Sequence, residues 1–282
     1  MVPTKGPGVV DLHAHTVYSD GLLTPGQVVR EARNRGLVAV GITDHDTMDG
    51  IGRALTAARR DGIEVVPGVE LSCNVSGIDL HMLGYYLDHQ DSEVHGFFLR
   101  LRASREDRAR QMVERLGALG HGVSFGRVRD IAGKGAIGRP HVAQAMVEAG
   151  VVAGTDQAFR QYIGYDGPAY VPKARLSPDE AVSFIRGHGG VAVVAHPGTY
   201  RRDEAVYAAI AAGADGVEVW HPDHGEREAA HYAEMAQKNG LLMTGGSDCH
   251  GGRKANHIYL GEVQVPYRYL AALKRRHRRR KG

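Results

Sequence analysis

In Val9-Val10-Asp11-Leu12-His13-Ala14-His15 the run Val9–Leu12 reads as a short buried strand, and it delivers His13 and His15. Side chains at i and i+2 leave a strand on the same side, so His13 and His15 point the same way. Ser19-Asp20-Gly21 brings a carboxylate a few residues later. Imidazole together with carboxylate suits a hydrolytic divalent metal better than a soft thiolate site. A lone His-x-His pair is a weak signal, and its weight comes from what the rest of the chain adds to it.

Working outward, the same arrangement recurs. Thr24-Pro25-Gly26-Gln27 is a helix start, with Thr24 as cap, Pro25 at the first helical position and Gln27 closing a capping box. That helix runs to about Arg35 and stops at Gly36. Val38–Thr43 is the next strand and ends in Asp44-His45-Asp46. A helix from about Asp49 to Asp61 stops at Gly62, and Ile63–Val69 is a strand ending at Glu70. The apolar run Leu80–Leu87 carries His81 at its start. This strand–helix alternation predicts parallel βα units of an α/β barrel.

The alternation breaks between about Ser92 and Tyr170. Phe97–Leu119 is charged and helical, Gly133–Arg139 is a glycine-rich loop, and His141–Ala149 and Asp156–Tyr162 read as short helices. Arg100–Arg139 holds ten Lys/Arg against four acids, a local basic region. Arg139 sits after the glycine loop, beside Pro140 and His141, where a helix starts. That placement favours an anion site.

The pattern resumes at the capping box Ser177-Pro178-Asp179-Glu180. Val191–Ala195 leads to His196-Pro197, Gly216–Trp220 carries Glu218 and leads to His221, and Leu241–Gly245 leads to Ser247-Asp248-Cys249-His250. Helices are expected over Asp203–Ala212, Glu226–Asn239 and Tyr267–Lys274. The expected fold is therefore α/β, a distorted (β/α)7 barrel with an inserted, mostly helical cap. Residues 1–91 form the first part of the barrel, 92–170 the inserted cap, 171–273 the second part and 274–282 a basic C-terminal tail.

Composition bounds the alternatives. The chain has 282 residues, of which 43% are hydrophobic, enough for a sizeable core. No apolar run reaches the roughly 18 residues of a membrane span, and Met1–Gly8 lacks the basic-then-apolar pattern of a signal peptide. Cys73 and Cys249 are too few for a disulfide framework, so a reduced, cytoplasmic setting is expected. The net charge of +3 is produced by the end of the chain: Lys274–Lys281 holds seven Lys/Arg and no acid, and the remainder carries −4. Such a run can touch nucleic acid or extend as a solvated terminus.

In a parallel α/β barrel the active site lies at the C-terminal ends of the strands. His13, His15, Asp20, Asp44, His45, Glu70, His81, His196, His221, Asp248 and His250 are all expected there. Each alone could be a core histidine or a helix cap. Together they exceed what one four- to six-coordinate ion can use, so two or three metals are expected. Closely spaced metals suit phosphoester hydrolysis. No phosphate-binding glycine loop and no GxSxG elbow occurs, which removes kinase and serine hydrolase readings.

The motifs Asp11-Leu12-His13-Ala14-His15, Ser19-Asp20-Gly21, Thr43-Asp44-His45-Asp46, Gly68-Val69-Glu70, His81-Met82-Leu83-Gly84-Tyr85, Ala195-His196-Pro197 and Ser247-Asp248-Cys249-His250 resemble those of the PHP (polymerase and histidinol phosphatase) superfamily. They span nearly the whole chain in order. Gly138-Arg139-Pro140-His141 and Ala169-Tyr170-Val171-Pro172 resemble a branch containing nucleoside monophosphate and 3′,5′-bisphosphate phosphatases, some of which remove nucleotides from RNA 5′ ends. The resemblance implies a trinuclear site, with manganese as the first expectation and iron, zinc or magnesium as others. It implies that His13, His15, Glu70 and Asp248 hold one metal, and that Glu70 bridges to a second held with His81 and His196. Asp20, His45 and His250 hold the third, and Asp44 and Asp46 stand behind the ligands. A hydroxide bridging the metals attacks phosphorus, with His221 contacting phosphate or protonating the leaving oxygen. Arg139, His141, Lys173 and Arg201 bind the substrate's phosphates. The expected partner is a nucleotide, with short RNA as a further substrate, no membrane and no obligatory protein partner. The alternatives are a histidinol-phosphate-type phosphomonoesterase and a nucleic-acid-binding polymerase-accessory module.

Overall fold

The structure is a computed structural model and describes residues 8–133, 136–172, 176–252 and 257–282. It divides into two compact units, Met1–His95 with Arg175–Gly282, and Gly96–Ala174. Lys173 lies outside the described residues.

The first unit is built on β1 (Val9–Asp11), β2 (Ala39–Ile42), β3 (Glu64–Val75), β4 (Ile78–Tyr85), β5 (Val191–Val194), β6 (Gly216–Trp220), β7 (Leu242–Gly245) and β8 (Val265–Pro266). They lie in the order β7-β6-β5-β4-β3-β2-β1-β8. The sheet curls back on itself just past β1. The Leu12 N–H donates to Gly245 O at 3.1 Å, the His15 N–H donates to Cys249 O at 2.9 Å, and Ala14 forms a parallel bridge with Cys249. β8 lies antiparallel beside the start of β1. Seven strands thus make the barrel wall, and β8 wedges its lower edge. At Gly41 a Cβ would stand 2.3 Å from Leu12 O, so only glycine lets β2 lie this close to the turn that carries the histidines.

Helix α1 (Pro25–Asn34) starts with the capping box expected at Thr24 and Gln27. Helix α2 (Ile51–Asp61) stops at Gly62, which is left-handed at φ 66. Between the two halves of the barrel come α3 (Ser92–Ala118), α4 (Phe125–Ala132), α5 (Arg139–Glu148) and α6 (Thr155–Ala158), the last running into a wide turn over Phe159–Ile163. The second unit has its own apolar cluster, including Met112, Leu116, Val128, Val142, Met146 and Ile163. Helices α7 (Pro178–Gly187), α8 (Asp203–Ala211), α9 (Glu226–Lys238) and α10 (Tyr267–Lys281) complete the chain.

Three details depart from the sequence expectation. Parallel pairing holds for β1 with β2, β2 with β3, β5 with β6 and β6 with β7, but β4 is antiparallel to both β3 and β5. The cause is the two-residue link Ser76-Gly77, with φ of 48° and 88°, because so short a link joins only antiparallel neighbours. Next, Glu70 is not at a strand end. β3 continues to Val75 in the hairpin with β4, whereas its pairing with β2 ends at Pro67. Glu70 therefore sits beyond the end of β2 but still beside the segment that follows it: its N–H donates to Asp44 O at 3.2 Å and its carbonyl accepts from the Asp46 N–H at 3.0 Å.

The third departure concerns the C-terminus. Lys274–Lys281 is the second half of α10 and not a separate tail. It has no glycine or proline, it consists of good helix formers, and its cations complement the carbonyl end of the helix dipole. Leu270 and Leu273 are buried against Val10, Leu83 and Val193. Each such burial contributes about 2 kcal/mol. Polar anchors flank them. The Lys274 ammonium meets Glu64 at 2.6 Å, the His277 ring donates to Gly189 O at 2.8 Å, and Arg276 and Arg280 meet Asp215 at 2.8 and 2.7 Å. Glu64, Gly189 and Asp215 lie where β3, β5 and β6 begin, so α10 closes the barrel at the N-terminal ends of its strands.

Candidate metal centre

The opposite end of the barrel gathers the predicted ligands. His13 and His15 leave β1 side by side, and both are fully buried. His13 Nε2 and His15 Nε2 stand 3.2 Å apart. His13 Nε2 lies 3.4 Å from Glu70 Oε2 and 3.5 Å from Asp248 Oδ1, and His15 Nε2 lies 3.2 and 3.1 Å from the same two oxygens. An ion about 2.1 Å from four tetrahedral donors holds them about 3.4 Å apart. The four side chains are therefore already spaced as the edges of one coordination shell.

Glu70 turns its other oxygen to a second set. Oε1 lies 2.8 Å from His81 Nδ1 and 2.9 Å from His196 Nε2, while His45 Nδ1 lies 3.1 Å from Oε2. Five imidazoles thus surround one carboxylate that is 1% exposed. His81 reaches this group from the first half of β4 because that strand runs against its neighbours. A third set gathers on Asp20. His250 Nε2 stands 3.3 Å, His15 Nδ1 3.7 Å and His45 Nε2 4.0 Å from its carboxylate. His15, Asp20, His45 and His250 can hold an ion, as can His13, His15, Glu70 and Asp248, and His45, Glu70 and His81.

Two observations fit this donor set to cations. Among buried side-chain atoms without a hydrogen-bond partner are Asp20 Oδ1, His45 Nδ1, Glu70 Oε2 and His221 Nε2, and an orphaned buried polar atom is costly unless something else satisfies it. The electrostatics agree. Burial alone would push the His15 ring down, but hydrogen bonds to Asp248 and Glu70 outweigh it and raise the ring to about 10. Burial works against the Glu70 charge too, yet His45, His81 and His13 hold it well below the ordinary glutamate range. The cluster demands positive charge, which a divalent ion supplies without protons. By contrast, burial outweighs the nearby carboxylates at His45 and takes that ring down to about 3.

The supporting residues explain the placement. Asp44 accepts from the Thr16 N–H at 2.7 Å, the Thr16 hydroxyl at 2.7 Å and the Ser19 hydroxyl at 2.6 Å, so it ties down the loop that carries Asp20. Asp46 accepts from the Ser72 N–H at 3.1 Å. His196 and Asp248 have φ of 25° and 48°, a left-handed backbone that costs about 1–3 kcal/mol per residue and gathers at functional sites. The His221 ring is buried. Its Nδ1 accepts from the Asp223 N–H at 3.1 Å, and its Nε2 faces Asp248 Oδ2 at 3.6 Å.

Two acids at the centre are absent from the expected site residues. Glu218, fully buried, meets the His13 Nδ1 at 3.1 Å and accepts from the His196 N–H at 2.8 Å. It was visible only as one charge inside the apolar run Gly216-Val217-Glu218-Val219-Trp220. Asp11 accepts from the Ser247 N–H at 2.9 Å and the Gly261 N–H at 2.7 Å and so ties β1 to the loop after β7. Thr199 and Asp223 join His45, Glu70, His81, His196, His221, Asp248 and His250 around a cavity of about 290 Å³.

The predicted phosphate contacts within the described residues divide between the two units. Arg201 is exposed and is not among the residues lining the cavity. Arg139 and His141 belong to the second unit. There the Gly138 N–H donates to His141 Nδ1 at 3.0 Å. The Arg139 guanidinium lies over the rings of Tyr165, Phe159 and Tyr170 at 4.8, 5.6 and 5.7 Å.

An α/β barrel with clustered His, Asp and Glu at one rim is a metallohydrolase arrangement. The PHP domain family matches residues 11–125. The chain is 35% identical over 258 residues to a 3′,5′-nucleoside bisphosphate phosphatase of Chromobacterium violaceum, covering 88% of this chain and 90% of the relative. It is 31% identical over 245 residues to a 5′-3′ exoribonuclease of Haemophilus influenzae, covering 85% and 89%. Its fold matches the crystal structure of a putative metal-dependent phosphoesterase of Bifidobacterium adolescentis at a TM-score of 0.82 and 35% identity, over 97% of both chains. The chain belongs to the PHP family. No helix among the described residues is long and apolar enough to cross a membrane.

Proposed function

We propose that the protein is a metal-dependent phosphoesterase that removes phosphate from nucleotides, with nucleoside 3′,5′-bisphosphates as the first substrate class and 5′-mononucleotides as the second. The observation that carries this reading is Glu70, a buried carboxylate with a different set of imidazoles on each oxygen. Such a carboxylate suits a bridge between two cations. His13, His15, Glu70 and Asp248 would hold one ion, Glu70 with His81 and His196 a second, and Asp20, His45 and His250 a third. Manganese is the first candidate, with iron, zinc and magnesium next. Bound ions of this kind activate water at neutral pH and take up the charge that develops on phosphate oxygens.

The chain's own groups would do the rest. His221 has its Nδ1 occupied by the Asp223 N–H, which places its proton on Nε2, beside Asp248 and facing the cavity. That N–H can donate a hydrogen bond to the leaving oxygen and so steady the charge that develops on it. Arg139 has no carboxylate neutralising it among the described residues. Three aromatic rings hold its guanidinium by cation–π attraction, which leaves its fork of donors for a phosphate. His141 accompanies it at the start of α5. Identity to a bisphosphate phosphatase supports the substrate class. Identity to an exoribonuclease favours short RNA, taken from its 5′ end, as a further substrate.

Purified protein loaded with manganese is expected to release inorganic phosphate from a nucleoside 3′,5′-bisphosphate faster than from histidinol phosphate. Absence of turnover on any nucleotide with any of the four metals would sink the reading. Arg139→Ala is expected to lower kcat/KM about 10–100-fold, the loss of a bidentate charged contact, while metal content per chain stays constant. Unchanged kcat/KM would remove Arg139 from the site.

A further inference from the structure

Helix α10 has two faces with different fates. Lys274, Arg276, His277 and Arg280 turn inward and are committed to Glu64, Asp215 and Gly189. Arg268, Arg275, Arg278 and Arg279 are exposed. At 100° per residue these four fall on one side of the helix, along about 16 Å of its length. None of the four has an ion-pair partner among the described residues, and α10 contains no acid. A basic run that served only as a solvated end would need no anchoring. This one is bolted to the start of three barrel strands, which fixes the outward arginines as a rigid stripe.

We propose that this stripe is a docking site for the phosphate backbone of single-stranded RNA, at the end of the barrel remote from the metal centre. Charge complementarity selects a polyanion. The apolar side of α10 is buried in the barrel, where Leu270 and Leu273 are inaccessible, so the helix cannot insert an apolar face into a membrane as interfacial helices do. The choice of RNA over other polyanions rests on the reading of the metal centre as a nucleotide phosphoesterase. The stripe holds a chain by its backbone without reading its bases. It would raise the local concentration of long substrates and do nothing for a mononucleotide.

Truncation at residue 274 is the wrong test, because it removes the anchors with the stripe. The triple variant Arg275→Gln, Arg278→Gln, Arg279→Gln leaves Lys274, Arg276, His277 and Arg280 in place. Binding of a nuclease-resistant 2′-O-methyl RNA to the metal-loaded protein is followed by fluorescence anisotropy across a salt series. Each phosphate contact contributes a slope of about −0.7 to log affinity against log salt for single strands. The variant should therefore be shallower by about 2. Between about 50 and about 200 mM salt the wild type should lose about 20-fold more affinity than the variant. Hydrolysis of a nucleoside 3′,5′-bisphosphate should be equal in the two proteins. That control separates failure of the docking site from failure of the phosphoesterase reading. Equal slopes in the two proteins overturn the proposal. So does a variant that loses binding to phosphatidylserine vesicles while its RNA binding is intact.

Discussion

Glu218→Gln is the sharpest probe of the metal centre, because it keeps the side chain's shape and removes one acceptor. Glu218 serves two donors at once, the His13 ring at 3.1 Å and the His196 N–H at 2.8 Å. A glutamine offers one oxygen and one NH2. If the oxygen faces His196, the NH2 faces His13 Nδ1. That ring must then accept there and carry its proton on Nε2, the atom facing Glu70, His15 and Asp248, and a protonated nitrogen cannot ligate. If the oxygen faces His13, the NH2 opposes the His196 N–H and a buried donor is left unpaired, at about 1–3 kcal/mol. At 1.4 kcal/mol per tenfold, an ion in the proposed His13, His15, Glu70 and Asp248 site should bind about 10–100-fold more weakly. That is the usual range for a residue that orients a ligand. The assay is metal content per chain after equilibration in chelator-buffered manganese or zinc, with circular dichroism as the fold control. A variant that retains wild-type occupancy at every buffered free-ion concentration would refute the assignment of Glu218 as the group that sets the His13 tautomer.

Three other outcomes are expected. Glu70→Gln removes the charge that faces five imidazoles and should cost at least one bound ion per chain and nearly all phosphatase activity; elemental analysis showing full occupancy would contradict it. Asp215 is depressed although burial opposes its charge, because Arg280, the Ala192 N–H and Arg276 favour the carboxylate. Its stabilisation is therefore complete above the unfolded value of about 3.9 and is lost as pH falls through the lower folded value. Asp215→Asn should cost about 2 kcal/mol at neutral pH, below the full cost of breaking a buried pair because Arg276 is partly solvated. In urea melts the gap from wild type should close below about pH 4, and a gap that is constant with pH speaks against it. Gly246→Ala would place a Cβ 2.4 Å from the His13 N and 2.5 Å from its Cβ. It should destabilise by about 1–3 kcal/mol and loosen the ion held by His13, and an unchanged melting temperature would show that the two strands can separate freely.

The ligand-type residues were legible because their chemistry is concentrated where the fold needs none of it. A strand can end in any polar residue, so histidines and acids after Leu12, Ile42, Ala195, Trp220 and Gly245 stand out against the apolar runs before them. Glu218 and Asp11 were hidden by the converse. Each lies inside an apolar strand, and there a single acid reads as the outward residue of an alternating pattern, whereas both are fully buried. The end of α10 was misjudged because charge density reads as solvation. The partners that hold it, Asp215 and Glu64, are 65 and 210 residues away in the chain, and no local pattern reports them.

The direction of β4 was the least legible feature and matters most to the site. The apolar run Leu80–Leu87 has no polarity of its own, and a parallel strand would carry His81, which stands at its start, away from the centre where its chemistry places it. Ser76-Gly77 reverses the strand, so its first residues rise to the rim where β1, β2 and β5 end. His81 then stands opposite Ser72 in the ladder, two residues from Glu70 on the same face of β3. Its ring meets Glu70 Oε1 at 2.8 Å for that reason. A seventh parallel strand would have left that oxygen with His196 alone. The hairpin is thus the step by which the barrel gives Glu70 ligand partners on both sides, and the topological irregularity and the two-sided carboxylate are one feature of the fold.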